Sequence, residues 1–232
     1  MPVGLIVPAA GSGSRFGGAV PKQLRELHGV PVLVHSLRAF AGLVDDIVVP
    51  VSADIAYRVA ELLTALDLGC PVRTVAGGST RMRSVAAGLH ALDPACDRVL
   101  VHDAARPLIR PAIIAACIAA LDEHPAAVVA VPCSSTVKRV HQQIVAETVP
   151  REDLWLAQTP QGFQRAAGEA AFAAALAGDN ECSDDVQVLE QAGHAVAIVP
   201  GDADNLKLTT AGDLAIAAAL LGAIEPGGSE TE

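Results

Sequence analysis

An α/β fold, with a mostly parallel sheet covered by helices on both faces, is the architecture this sequence predicts, and three observations carry it. Short continuous apolar runs recur at Val3–Val7, Ile47–Val51, Val72–Ala76, Val99–Val101, Ala127–Val131 and Ala195–Val199, the pattern of strands buried on both faces. Helix-like segments, Pro31–Leu43, Ala53–Leu66, Thr80–Leu92 and Pro111–Glu123, separate most of these runs, and such alternation implies right-handed βαβ units. The first run leads directly into a glycine-rich loop, in the position where open α/β sheets bind ligands beyond the carboxyl ends of their strands.

That loop, VPAAGSGSRFGGAVPKQL from Val7 to Leu24, holds Gly11, Gly13, Gly17 and Gly18 together with Arg15 and Lys22. Glycines let the backbone approach a ligand closely, and exposed N–H groups in such a loop form a concave donor surface for phosphate oxygens. Arg15 and Lys22 add two positive charges, so a phosphate cradle is expected. It is not a Walker A loop, because Lys22 lies between Pro21 and Gln23 instead of in Gly-Lys-Ser/Thr. It is a poor dinucleotide fingerprint too, since Phe16 stands where the third glycine belongs and the next strand ends without an acidic residue.

The third run ends in AGGSTRMRSV, Ala76 to Val85. Gly77 and Gly78 allow a tight turn, Ser79 is the expected N-cap, and a helix N-terminus favours anions. Arg81 and Ser84 follow one turn apart. The fourth run ends in HDAARP, where Asp103 at a strand's carboxyl end is suited to holding Mg²⁺ or a ribose hydroxyl; the plainer alternative is a pairing with Arg106. His102 is expected to point away from Asp103, because adjacent strand residues face opposite sides.

From Cys133 to Phe163 the strand–helix rhythm breaks. Thr136–Val140 and Ile144–Val149 read as two strands joined around His141-Gln142-Gln143. An isolated hairpin is marginal in water, so this one is expected to pack on a second copy of the chain as the arm of an isologous dimer, with a fold-back onto its own domain as the alternative. Arg151 and Trp155 follow it. The segment Asn180–Gly193 reads as a helix with Ser183 as N-cap. In GDADNLKLTT, alternation aims Leu206 and Leu208 one way and Lys207 the other, towards the strand ends. Residues 1–224 are thus expected to form one domain, with an arm at about 133–159 and a disordered acidic, Gly-rich tail at 225–232.

Composition narrows the function. The net charge is −10, from 16 basic and 26 acidic residues, which argues against a sequence-independent grip on nucleic acid. Only Lys22, Lys138 and Lys207 are lysines, so cations for an anionic ligand must be gathered locally. Hydrophobic residues reach 51%, much of it alanine, and no apolar run approaches the ~18 residues of a membrane span. The five cysteines lack a C-x-x-C pair, and the seven histidines lack ligand spacing. A cytoplasmic protein with reduced thiols is expected.

PAAGSGSRF followed by PKQL, then AGGSTRMRSV, HDAARP, the Arg151 segment and DNLKLTT together resemble, in order, the motifs of the sugar nucleotidyltransferases. They are most similar to the 2-C-methyl-D-erythritol 4-phosphate cytidylyltransferase family, from about Val3 to Leu221. The resemblance implies a Rossmann-like sheet, a homodimer through the arm, CTP and methylerythritol phosphate as substrates, and Mg²⁺ or another divalent cation. It implies nucleotide contacts from Ala9, Ala10, Gly11, Gly13, Gly78, Arg81, Ser84 and Asp103, with Asp103 also at the metal. Arg106, Thr136 and Arg151 match acceptor-binding positions, Arg151 reaching in from the other subunit. Arg15, Lys22, Arg151 and Lys207 match the catalytic cations. Ser183 stands where the family usually has threonine. A cytidylyltransferase for another polyol phosphate, such as ribitol 5-phosphate, and a non-catalytic nucleotide-binding protein of the same fold are the alternatives.

Overall fold

A computed structural model describes residues 1–11, 20–178 and 182–224. Gly13, Arg15, Gly17, Gly18 and the tail 225–232 lie outside the described residues. In chain order the elements are β1 (Val3–Ile6), a 3-10 turn at Lys22–Leu24, β2 (Glu26–Leu27), β3 (Val30–Pro31), α1 (Val32–Arg38), β4 (Asp46–Val51), α2 (Ala56–Thr64), β5 (Val72–Ala76), α3 (Arg81–Ala91), β6 (Arg98–Val101) and α4 (Pro111–Ala120). Then come β7 (Ala126–Pro132), β8 (Val137–His141), β9 (Ile144–Val149), β10 (Trp155–Gln164), α5 (Arg165–Ala177), α6 (Asp185–Gln191), β11 (Val196–Pro200) and α7 (Ala211–Ile224).

Seven strands form one sheet in the order β11-β7-β10-β6-β1-β4-β5. Strand β10 is antiparallel to β6 and β7, and the remaining neighbours are parallel. The apolar runs become strands because both faces of the sheet are covered. Leu5 and Ile47 point into a cluster with Leu33 and Phe40 of the α1 side, Val59 of α2 and Ile114 of α4. Ile6 and Val48 point oppositely, into a cluster with Val85 of α3, Phe172 of α5 and Leu189 of α6. Each large side chain removed from water in these layers contributes about 1.5–3 kcal/mol of gross stabilisation. Among the described residues, no helix is long and apolar enough to cross a membrane.

Strand β10 is the strand of the seven-stranded sheet that the apolar pattern did not reveal. Its middle, Gln158-Thr159-Pro160-Gln161, is buried yet mostly polar, so it carries no apolar run; hydrogen bonds to side chains and loops replace hydrophobic contacts there. The register between β10 and β7 shifts between Ala157 and Gln161, which turns these polar groups towards the site. Strands β8 and β9 pair with each other through a turn in which Gln142 and Gln143 both have positive φ, 47° and 65°. That is the backbone a two-residue hairpin turn needs. The hairpin is exposed along most of its length, with Val140, Ile144 and Val145 half or more exposed. It does not fold back onto its own domain.

Both expected N-caps move by one residue. Thr80, not Ser79, caps α3, its Oγ1 accepting from the Arg83 N–H at 3.3 Å. Asp184, not Ser183, caps α6, accepting from the Gln187 N–H at 3.0 Å; Ser183 instead donates its N–H and hydroxyl to Gln187 Oε1. In each pair the chosen residue has the extended backbone that a cap requires.

Candidate active site

The carboxyl ends of β1, β5 and β6 open into a cleft of about 430 Å³, lined by Pro8–Gly11, Lys22, Gln23, Gly78–Arg81, Ser84, Asp103–Ala105 and Lys207. Its first wall is the stretch after β1. Ala9 donates its N–H to Pro50 O at 2.8 Å, and the buried Gln23 donates from Nε2 to Ala9 O at 2.7 Å. Gln23 therefore ties the 3-10 turn to the first loop, which sets Lys22 at the rim.

The second wall is the turn after β5. Gly77 donates its N–H to Val51 O at 2.8 Å, and a Cβ on it would lie 2.5 Å from Ala10 Cβ. Only glycine lets the two loops touch here. Ser84 Oγ accepts from the Gly78 N–H at 3.0 Å and donates to Thr80 O at 2.9 Å, so its hydroxyl shapes the turn from beneath.

The floor is a charged network centred on Asp103. Its Oδ1 accepts from Arg81 Nε and Nη2 at 3.3 and 3.2 Å. Its Oδ2 faces Lys207 Nζ at 2.8 Å and Arg106 Nε at 3.5 Å. Burial alone would raise the Asp103 carboxyl, but Arg81, Lys207 and Arg106 outweigh it and hold the group well below the usual carboxylate range. Arg81 makes a second, end-on pair with Asp185 of α6, both bonds 2.7 Å. Burial opposes the charge on Arg81, yet these two carboxylates push its pKa up.

His102 does point away from Asp103. It is fully buried against Phe40, ring centroids 5.0 Å apart. Nε2 lies 3.0 Å from Arg106 O, an atom that only accepts, so Nε2 carries the proton. Burial pushes the ring's pKa down to about 4, so Nδ1 is a bare acceptor and takes the Thr159 hydroxyl proton at 3.0 Å. Thr159 Oγ1 in turn accepts from the Asp103 N–H at 3.0 Å. Between the ordinary value of 6.5 and about 4, the unfolded chain binds a proton that the folded ring refuses. This contribution is complete above pH 6.5 and is lost as pH falls towards 4, amounting to about 3 kcal/mol. Urea unfolding midpoints at pH 7.5 and pH 5 are expected to differ more for the parent than for His102→Gln, and equal differences would contradict the assignment.

Comparison with known proteins decides the family. The family described as IspD, 2-C-methyl-D-erythritol 4-phosphate cytidylyltransferase, matches residues 3–223. The chain belongs to the IspD family. An enzyme of that name from Acidobacterium capsulatum is 43% identical over 230 residues, covering 94% of this chain and 96% of the relative. Another from Deinococcus radiodurans is 41% identical, covering 96% and 90%. The chain also matches the bifunctional enzyme IspD/IspF of Rhodospirillum rubrum at 45% identity, but spans only 55% of its length. Among solved structures, 4-diphosphocytidyl-2C-methyl-D-erythritol synthase of Anaerococcus prevotii superposes with a TM-score of 0.84 at 30% identity, covering 95% of this chain and 98% of that one. 2-C-methyl-D-erythritol 4-phosphate cytidylyltransferase of Thermus thermophilus gives 0.78 at 33%, with the same coverage.

Within this IspD fold the described residues singled out by sequence divide into three groups. Ala9, Ala10, Gly11, Lys22, Gly78, Arg81, Ser84, Asp103 and Lys207 come together at the cleft. Arg106 does not line it: its guanidinium is folded beneath Asp103 and donates from Nη1 to Asn205 O at 2.7 Å, which braces the segment carrying Lys207. Thr136 and Arg151 lie outside the cleft, exposed at the base of the hairpin, where Arg151 Nη1 donates to Ser134 O. Gln23, Thr159, Asp185 and Asn205 were not singled out. Gln23 and Asn205 sit inside motifs the sequence displays, PKQL and GDADNLKLTT, but Asp185 bonds Arg81 across 104 residues of chain, which no local pattern signals.

Proposed function

We propose that this cleft binds CTP and that the chain transfers its cytidylyl group to 2-C-methyl-D-erythritol 4-phosphate, releasing pyrophosphate. The observation that carries the reading is the meeting of Lys22 and Lys207, from opposite ends of the chain, with Asp103 and two glycine loops in one cleft. Membership of the IspD family supports the choice of both substrates.

A phosphate oxygen of the acceptor attacks the α-phosphorus in line, the bond to the β-phosphate breaks, and the electron pair leaves with pyrophosphate. The attacking oxygen is already anionic, so no general base is needed. The chain's task is to hold two polyanions together and to stabilise the charge growing on the α-phosphoryl and leaving groups. Lys22, with Arg15 from the same glycine-rich stretch of sequence, is assigned to that charge, and the N–H groups of the Gly11 and Gly78 loops to the phosphates and base. Lys207, held against Asp103 until an anion competes for it, is assigned to the phosphates.

A divalent cation fits this site only together with the nucleotide. Among the described residues no group of three His, Cys, Asp or Glu could hold one, and both oxygens of Asp103 already accept from cations. Mg²⁺ binds through one or two carboxylates plus substrate phosphates and water, so Asp103 would be its one protein ligand at most. The cation would supply charge neutralisation across the triphosphate.

Residues 1–224 are read as one catalytic unit whose arm, about 133–159, embraces a second copy. Val140, Ile144, Val145 and Leu156 offer that copy an apolar surface, and Arg151 at its base would enter the partner's cleft to hold the acceptor phosphate. Mixing Arg151→Ala with Lys22→Ala subunits is expected to restore activity that neither variant has alone, because one site of each mixed dimer then holds both cations. No recovery after subunit exchange would place Arg151 in its own site instead. The function itself is tested by pyrophosphate release with CTP and Mg²⁺ in the presence of methylerythritol phosphate, ribitol phosphate or no acceptor. Release with methylerythritol phosphate alone is expected; release with ribitol phosphate alone would move the enzyme to another acceptor, and release with neither would leave a binding protein.

A further inference from the structure

Arg81 lines the cleft, yet most of its hydrogen-bonding capacity is spent inside the protein. A guanidinium has five N–H donors in a fixed fork. Its Nη1 and Nη2 each give one to Asp185, and Nε and Nη2 each give one to Asp103 Oδ1. One N–H on Nη1 is left without a partner among the described residues. With two carboxylates on it, Arg81 is ill suited to gripping a triphosphate; a single directed N–H suits a neutral acceptor such as a base carbonyl or a ribose oxygen.

The residue that imposes this arrangement is Asp185. Its side chain is 1% exposed, and its position is fixed from behind: Gln161 Oε1 accepts from the Asp185 and Val186 N–H groups at 2.8 and 3.0 Å, while Gln161 Nε2 donates to Asp184 at 3.1 Å. The start of α6 is thereby bolted to β10. An end-on carboxylate held this firmly leaves the guanidinium one orientation, whereas the Asp103 contacts alone, at 3.2–3.3 Å to a single oxygen, would let it pivot. Burial outweighs the pull of Arg81 and raises the Asp185 carboxyl above its ordinary value, and Arg81 is the one cation paired with it among the described residues.

We infer that Asp185 is a positioning residue of the nucleotide site: it acts through Arg81, fixing the one free N–H for a polar, uncharged acceptor on the nucleoside part of the ligand. The inference rests on the reading of the cleft as a CTP site. It predicts that losing Asp185 weakens CTP binding and raises the KM for CTP, with kcat much less affected, because Arg81 orients the nucleotide and does not face the reacting phosphorus.

The test is titration calorimetry of the full-length protein with CTP and Mg²⁺, alongside steady-state kinetics. Asp185→Asn is expected to weaken CTP about ten- to hundredfold, the scale of one lost hydrogen bond to a charged group. Val188→Ala, which empties a buried position on the same helix without touching Arg81, serves as the control for loosening of α6 and is expected to leave the CTP Kd unchanged. Arg81→Gln is expected to weaken CTP by itself, and adding Asp185→Asn to it to have little further effect, since the post then has nothing to hold. That comparison also stands if Asp185→Asn alone fails to fold, because the double variant removes both charges of the buried pair. Unchanged CTP binding in folded Asp185→Asn, an equal loss in Val188→Ala, or a full additional loss from Asp185→Asn in the Arg81→Gln background would each overturn the inference. A parent protein that binds no CTP would instead overturn the function on which it rests.

Discussion

Lys22→Ala is expected to lower kcat for pyrophosphate release by about 10²–10³-fold, the usual cost of deleting a group that stabilises transition-state charge, while the KM for CTP changes far less. Lys22 opens the 3-10 turn Lys22–Leu24, and the buried bond from Gln23 to Ala9 O holds that turn against the first loop. Removing the side chain beyond Cβ leaves this bond in place, so the fold should persist and the loss should be chemical. Lys22→Arg should recover only part of the rate, because a planar fork cannot occupy the position of a compact, rotatable ammonium. The check is a comparison of kcat and kcat/KM for the three proteins at saturating acceptor. Turnover of Lys22→Ala within severalfold of the parent would remove Lys22 from the mechanism.

Asp103→Asn should be the substitution that damages both stability and activity most. The parent carboxylate is shared by Arg81, Lys207 and Arg106, and neutralising it leaves three cations facing one another. Removing one partner of a buried ion pair typically costs 3–5 kcal/mol. Arg81 and Lys207 side chains are 31% and 36% exposed and can turn towards water, so the lower end, about 3 kcal/mol, is expected after allowing for screening. For a chain of this size that corresponds to a fall in Tm of roughly 6–12 °C. Activity should fall further than stability explains, since Lys207 loses the contact that fixes it. A variant that melts with the parent and turns over normally would show the network to be ornamental.

How far the sequence disclosed this molecule follows from where each residue's partners lie. The parallel strands were legible because burial on both faces leaves no choice but a continuous apolar run, as in Val3–Val7. Lys207 was placed towards the strand ends by simple alternation, with Leu208 1% exposed on the opposite side. The caps slipped by one residue because Ser79-Thr80 and Ser183-Asp184 each offer two competent side chains in succession, and composition alone does not choose between them. Strand β10 was hidden because its buried centre is satisfied by hydrogen bonds, Thr159 to His102 and Asp103, Gln161 to α6, and such bonds have no period. Arg106 beside Asp103 gave no sign that it would turn inward to Asn205, a contact across 99 residues. Arg15 and Gly13, prominent in the sequence, lie outside the described residues.

Strand β10 leaves the hairpin at Trp155, where the chain is exposed, and three residues beyond the half-exposed Leu156 it supplies Thr159, whose hydroxyl holds the Asp103 N–H. That is a stretch of only about 10 Å of extended backbone. The hairpin and the floor of the cleft are consequently near neighbours along the chain: a displacement of the hairpin's root reaches the Asp103 N–H through a few backbone bonds and the Thr159 hydroxyl. Trimming the arm is therefore expected to lower turnover in the pyrophosphate-release assay beyond what any change in oligomeric state explains, and unchanged turnover would sever this link.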